Sequence, residues 1–529
     1  MVDRKTLGTK IQKDGRRQNL AYIVVPIQFS HSFPVNDLSV LSSDTTIWEY
    51  NDKIKLKKDY LYEHIHLNKD NSANNLLLTY SIKKNPPKDS SVAHVINKVW
   101  GKLRPEMQTA DGQKFQLDFL HEKGNWNGAN LIFSPSSCTG LLVLCVNPET
   151  EKPTLDEVID FNYHLRKIDG QQKLTMTLDD NGEDLREVKL KELQDIKAAL
   201  LPKADDNVDD GIKFKLTDIV RLLLSGLPEW KLLEQSRAHV FTYYCIEQDS
   251  LELSDDIKQR IIRLTRCENP KYNVPVSIFS NSGSFLSTFK NIHMGSSTQG
   301  GCIVTVVQKS QDGGEGNEAN GFIKEFVSNL PLVYLWLYFM ALMQRYVLLH
   351  MIEDLSSMMI NTETAENRKD FNNKIRHFSN IKVKGLFKNV SSFTQHNQYY
   401  KFLLENMEVT QLYAEFEDKM HVVDSYLQME HNSLTEERNE LEKNIERRLQ
   451  QEKEKEERRL QQEKEDKEYR VTKFTIAMTI LATALTLFQN VAAINQIFDD
   501  IEENLSIWLT ILGYVIILIV IIWYSLRKK

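Results

Sequence analysis

Apolar positions along the chain fall into three patterns, and each predicts a different kind of element. Through residues 1–325, β-branched and aromatic runs of strand length alternate with polar loops. The runs are LAYIVVPIQF (Leu20 to Phe29), NLLLTYSI (Asn75 to Ile82), TGLLVLCV (Thr139 to Val146), HVFTYYCI (His239 to Ile246) and CIVTVV (Cys302 to Val307). Helical periodicity interrupts them in LREVKLKELQDIKAALL (Leu185 to Leu201) and FKLTDIVRLLLSGL (Phe214 to Leu227). The mixture predicts an α/β body, with QDGGEGNEANG (Gln311 to Gly321) as a flexible loop near its end.

The second pattern is almost wholly polar. ERRLQQEKE occupies Glu446 to Glu454 and recurs at Glu457 to Glu465, an offset of eleven residues or about three helical turns. From Leu434 to Arg470 there is no Gly or Pro, and Glu, Lys, Arg and Gln are good helix formers. Glu454 with Arg458, Glu463 with Lys467 and Asp466 with Arg470 stand at i,i+4 in the favourable order. The apolar positions are Leu434, Leu441, Ile445, Leu449, Leu460 and Val471. Their early spacings match a coiled-coil seam, whereas the last two, of eleven, give a nearly straight or slightly right-handed path. One Leu in three turns cannot hold a dry interface, so this helix reads as a solvated strut that passes a tilt or rotation into Phe474, or as a plain spacer. Tyr399 to Met429 also reads as helix, so the rod is expected to begin near Tyr400 and, with the first span, to approach ~150 Å.

The third pattern is continuous. Phe474 to Phe498 and Leu505 to Leu526 are charge-free, and at the helical rise they extend about 37 Å and about 33 Å, more than a bilayer core requires. Trp508 lies near one end of the second run, with Trp523 and Tyr524 near the other, where amphipathic rings favour the interfaces. The turn between the runs carries Asp499, Asp500, Glu502 and Glu503 and no base, while Lys467, Arg470, Lys473 and Arg527 to Lys529 flank them outside. That asymmetry predicts a multi-pass hairpin in the cell inner membrane, with both chain ends cytoplasmic and the acidic loop external. Leu330 to Ile352 is also apolar, but Gln344, Arg345 and His350 interrupt it, which favours a buried core helix over a third span. The expected order is therefore body 1–325, helical connector 326–398, stalk 399–472, first span 473–498, loop 499–504, second span 505–526 and basic tail 527–529.

Polar residues in the first span share one stripe. Taking Thr475 as 0°, Thr479, Thr483, Thr486 and Asn490 fall at about 40°, 80°, 20° and 60°. The second span is mostly Ile, Leu and Val. In an assembly of subunits the stripe would line a hydroxyl-bearing pore and the second helix would face lipid. The four external carboxylates would then concentrate cations by their long-range field. The other reading is that the Thr hydroxyls bond back to their own i−4 carbonyls, while Ala477, Ala482 and Ala484 simply permit close packing.

Composition narrows the choices. A net charge of −7 argues against a partner of long nucleic acid. The five cysteines lack CxxC spacing and read as buried free thiols, and the first 20 residues lack the apolar stretch of a secretory signal. There is no GxxxxGK[ST] loop, strand-linked GxGxxG, HExxH or GxSxG, which leaves no familiar enzyme, although a membrane-tethered enzyme stays open. NIHMGSSTQGGC (Asn291 to Cys302) offers Ser296, Ser297 and Thr298 as an anion cradle, or is an ordinary hairpin turn. Arg345, in an apolar helix, is placed to meet a phosphate or carboxylate, or to make an internal ion pair.

A body, a charged helix running into a first span, a short acidic loop, a second span and a basic tail together resemble the CorA superfamily of pentameric divalent-cation channels. The resemblance covers about the last 130 residues. That family carries Gly-Met-Asn at the outer end of its first span; here the stretch reads LFQNVAAINQIF, with Asn490 or Asn495 for the Asn and neither Gly nor Met. The large N-terminal body makes the chain look most like the CorA-type membrane effectors of type III CRISPR systems. The resemblance implies a homopentamer, no tightly bound cofactor and a divalent cation as a candidate ion. It also implies a nucleotide second messenger, an S-adenosylmethionine and AMP conjugate or an oligoadenylate, that binds the body and opens the pore. A magnesium transporter is the alternative within the same family.

Overall fold

A computed structural model describes residues 21–30, 47–51, 60–62, 77–83, 106–109, 112, 114–118, 126, 128–135, 137–148, 153–175, 194–199, 212–227, 229–234, 236–269, 271–281, 283–308, 318–358, 373, 375–376, 378–379, 389–495 and 504–527. The chain forms two compact units, Met1–Val423 and Asp424–Lys529.

The first unit is built on a mixed sheet. Its strands begin with β1 Ala21–Phe29, β2 Trp48–Tyr50, β3 Leu78–Ile82, β4 Glu106–Gln108, β5 Lys114–Asp118, β6 Ala129–Ser134 and β7 Thr139–Pro148. They continue with β8 Gln171–Thr175, β9 Ile212–Lys215, β10 Trp230–Leu232, β11 His239–Gln248, β12 Phe285–Phe289, β13 Ile292–Ser296 and β14 Gly300–Gln308. The order across the sheet is β12-β13-β14-β11-β1-β7-β5-β4-β8-β9, with β10 also on β1 and the branch β2-β3-β6 joining at β7. Among the described pairs only β11 and β14 run parallel, from Val240↔Gly300 to Gln248↔Gln308. All five runs expected as strands are strands, each within a few residues of its expected bounds.

Helices cover the sheet. α1 (Leu155–Leu165) starts at a capping box of Thr154 and Glu157, and α2 (Leu216–Leu223) follows β9 directly, so Phe214 and Lys215 of the expected helix belong to a strand. Residues 194–199 are the described part of the other expected helix. α3 (Asp255–Arg266) lies in the crossover between the parallel strands and buries Ile261, Ile262 and Leu264, and the short α4 (Ser277–Asn281) follows.

α5 (Glu318–Asn329) passes through a π turn, Leu330–Tyr334, into α6 (Leu335–Met358). Pro331 has no N–H to give the helical ladder, and the ladder widens there. The Trp126 indole N–H donates to the Pro331 carbonyl at 2.8 Å and its ring stacks on Trp336 at 5.7 Å. Trp336, Leu337, Tyr338, Phe339 and Met340 are all buried. Apolar side chains on every face mark a helix enclosed by protein.

α7 (Thr394–Asn406) ends before α8 (Val409–Asn495) begins, with Met407 and Glu408 between them. The rod therefore starts at Val409 and not near Tyr400, because Glu408 takes a left-handed conformation (φ 59°) that no helix continues through. Val409, Phe416 and Val423 on the first turns of α8 are buried, at a spacing of seven residues.

In the second unit, every described side chain from His431 to Arg470 is exposed within the single chain, including the Leu residues of the repeat. The Arg438–Glu442 pair closes to 3.2 Å, while the three i,i+4 pairs expected further on close no ion pair. Exposed ion pairs add only a few tenths of a kcal/mol, and the helix stands on backbone bonding and residue propensity without them. α9 (Asn504–Arg527) coincides with the expected second span to within a residue at each end.

Among the described residues two helices are long and apolar enough to cross a membrane, Glu325–Ser357 and Val409–Leu487, and Thr510–Ile521 is a shorter apolar helical stretch. The most apolar part of the first is 78% buried and that of the second 0% buried. Glu325–Ser357 is thus satisfied as the core of its own unit; the most apolar part of Val409–Leu487 has no protein against it within the single chain.

Candidate functional site

Thr475, Thr479, Thr483 and Thr486 lie on exposed turns of α8, with Asn490 beyond them. Each hydroxyl proton is already used: Thr475 donates to the Val471 carbonyl (2.9 Å), Thr479 to Thr475 (2.8 Å), Thr483 to Thr479 (2.8 Å) and Thr486 to Ala482 (2.7 Å). This is the back-bonded arrangement. A hydroxyl whose proton points back at its own helix presents only lone pairs outward. The stripe is therefore a row of acceptors, which suits cations or water donors and disfavours anions. At the polar end of this segment Lys473 lies over the Tyr469 ring at 4.5 Å, an amphipathic pair of the sort that sits at an interface. Asp499, Asp500, Glu502 and Glu503 lie outside the described residues.

In the first unit, the turn holding Ser296, Ser297 and Thr298 closes on itself. Ser297 Oγ accepts the backbone N–H groups of Gln299 (3.2 Å) and Gly300 (3.1 Å) and lies 3.0 Å from the Thr265 carbonyl. Those amides are occupied within the hairpin. The small residues have a packing reason too: a Cβ on Gly300 would sit 2.7 Å from the Val240 carbonyl oxygen, and one on Gly301 would sit 2.5 Å from the Tyr338 ring. Beside the turn, buried Arg166 donates to the Gln299 side-chain oxygen (2.6 Å) and to the carbonyls of Cys267 and Arg266. Burial lowers the pKa of its guanidinium.

Arg345 does make an internal ion pair. Its Nη1 donates to the Met407 carbonyl (2.5 Å) and to Glu408 Oε2 (3.1 Å).

Next to it, Tyr346 completes a constellation that the linear sequence does not display. β1 contains Pro26, whose ring nitrogen can give nothing to a ladder, and this is where the neighbour of β1 changes from β11 (Val24↔His239) to β10 (Ile27↔Leu232). Leu233 N–H still reaches the Pro26 carbonyl at 3.1 Å, and the chain then leaves the sheet and returns at His239. Glu234 and His239 flank that excursion, and Tyr346 of α6 meets both. Its hydroxyl donates to Glu234 Oε1 (2.5 Å) and lies 2.6 Å from His239 Nε2. Because the tyrosine proton goes to Glu234, His239 carries its own proton on Nε2, which leaves Nδ1 buried without a partner.

Protonation states agree with this order. Burial holds His239 below the usual imidazole range, outweighing the pull of Glu234, so the ring is neutral. Burial alone would raise Glu234, but His239, 3.8 Å away, and the Tyr346 hydrogen bond win and hold the carboxyl below its usual value. Arg166 and Arg345 both act on this pair through space. The only sequence signal was a His opening an otherwise apolar strand; its partners lie 5 and 107 positions away.

Elsewhere His293 donates or accepts at Ser287 Oγ (2.8 Å), with burial and then the Lys258 charge pushing it down to about 4. Among the described residues no group of His, Cys, Asp and Glu could hold a metal ion. The chain matches no family model, no curated protein and no solved structure.

Proposed function

We propose that the chain is a ligand-gated ion channel, assembled from several copies of itself in the cell inner membrane and conducting cations. One observation carries the reading: an apolar stretch of helix with no protein of its own chain against it bears a stripe of hydroxyls whose lone pairs alone face outward. Apolar surface of that extent is stable in lipid, and the acceptor row needs water or cations as its partner. Around an axis of identical helices those rows converge into a conduit, while α9 takes the lipid side. The likeness to CRISPR-associated CorA-type effectors adds the gate, a nucleotide second messenger bound by the first unit.

Purified full-length protein in dye-loaded liposomes tests this, with and without an S-adenosylmethionine and AMP conjugate or an oligoadenylate. Cation flux that appears only with one of the nucleotides, and is lost in the Thr479→Leu, Thr483→Leu double variant while assembly survives, is the expected outcome. Flux indifferent to both the nucleotides and the double substitution would refute it, and flux of magnesium without any nucleotide would point to a transporter.

A further inference from the structure

The joint between α7 and α8 is held against the preference of its own sequence. Residues 399–429 contain no Gly or Pro, and ENMEVTQL across the break consists largely of residues that tolerate a helix. Yet Glu408 sits at φ 59°, a left-handed conformation that crowds the Cβ of an L-residue against the backbone. What pins it there comes from elsewhere in the fold. Arg345 of α6 caps the Met407 carbonyl and pairs with Glu408, and Asn406 Nδ2 donates to the Gly283 carbonyl at 2.9 Å. The clasp is incomplete, since Arg345 Nε is buried without a hydrogen-bond partner. The neighbouring residue, Tyr346, is bonded to the strand changeover at Glu234 and His239. Adjacent side chains of one helix thus grip the sheet and the joint.

We propose that Met407–Glu408 is a two-state joint, broken as described above or continuous, with α7 and the first turns of α8 fused into one helix, and that Arg345 is the latch of the broken state. A disturbance of Glu234 or His239 moves Tyr346 and with it the latch. The joint operates whether or not the chain conducts ions, so its test reads backbone bonding and not flux.

Fusion has a local signature. The first amides of a helix have no partner inside it, and Leu412 is the first of α8 to bond back, to the Glu408 carbonyl at 2.9 Å. In a continuous helix Val409, Thr410 and Gln411 would gain carbonyl partners at Glu405, Asn406 and Met407. Hydrogen exchange of the full-length protein, followed over residues 405–415, reads this directly. Glu408→Ala and Arg345→Ala are expected to slow exchange of the Val409 to Gln411 amides, by up to about tenfold relative to Glu408→Gly, because Gly alone accepts the left-handed backbone without penalty. A latch that is only structural gives the opposite sign: Arg345→Ala and Glu408→Ala then fray the joint and speed exchange. Faster or unchanged exchange in both would overturn the proposal; Glu408 is exposed, so its variants fold.

Discussion

Tyr346 and Thr483 each keep a hydroxyl proton bonded, by opposite means. Tyr346 gives its proton to a carboxylate 112 residues away, across a sheet whose strand order the chain reaches only when folded. Thr483 gives its proton to a carbonyl four residues back, in a helix that every neighbouring residue already favours. The two units repeat this contrast throughout. In Met1–Val423 distant partners decide where a side chain goes, and in Asp424–Lys529 the adjacent turns do. Perturbations should therefore spread in the first unit and stay local in the second.

The strongest way to sharpen that contrast is to empty a site at the centre of the sheet. Leu142 of β7 lies fully buried between Val25 and Leu131, and Leu142→Ala is expected to cost about 3–4 kcal/mol in the cooperative unfolding of the first unit, followed by near-UV circular dichroism. Acid comes next. His239 and His293 are both held below the usual imidazole value, so the unfolded chain binds more protons than the folded one below about pH 6.5. Their contribution is complete above that value and is lost as pH falls; for His293 the loss runs down to about 4 and amounts to roughly 3 kcal/mol. Unfolding midpoints that stay flat between pH 7 and 4 would contradict the neutral assignment. Tyr346→Phe strands the His239 N–H and one oxygen of Glu234, and should destabilise the same transition by about 1–3 kcal/mol. At the small end, Leu460→Ala in the charged repeat should leave that transition unmoved and the helix content unchanged or slightly raised, since Ala is the better helix former. A large effect there would break the contrast by revealing a hidden partner for the strut.

Legibility in the sequence divided along the same line. The second apolar span could be read almost to the residue and the charged stretch could be read as helix, because residue propensity and continuous apolarity act over short separations. The strands of the body were legible as strands, since β-branched runs declare themselves, but their order was not; nothing in HVFTYYCI says that it lies between β1 and β14. The same limit hid the Glu234, His239 and Tyr346 cluster. It also misplaced the start of the rod, because Glu408 is turned left-handed by Arg345, 63 positions earlier. The threonine stripe was visible as a pattern, whereas the direction of its protons needed the backbone.

The most direct test of the account is aqueous access to that stripe. Thr479 and Thr483, each replaced by Cys in the full-length protein reconstituted in liposomes, should react with a membrane-impermeant thiol reagent when nucleotide is present, while Cys at Leu481, on another face of the helix, stays unreactive. If all three positions are unreactive under every condition, the row of acceptors does not face water, and the channel reading is wrong.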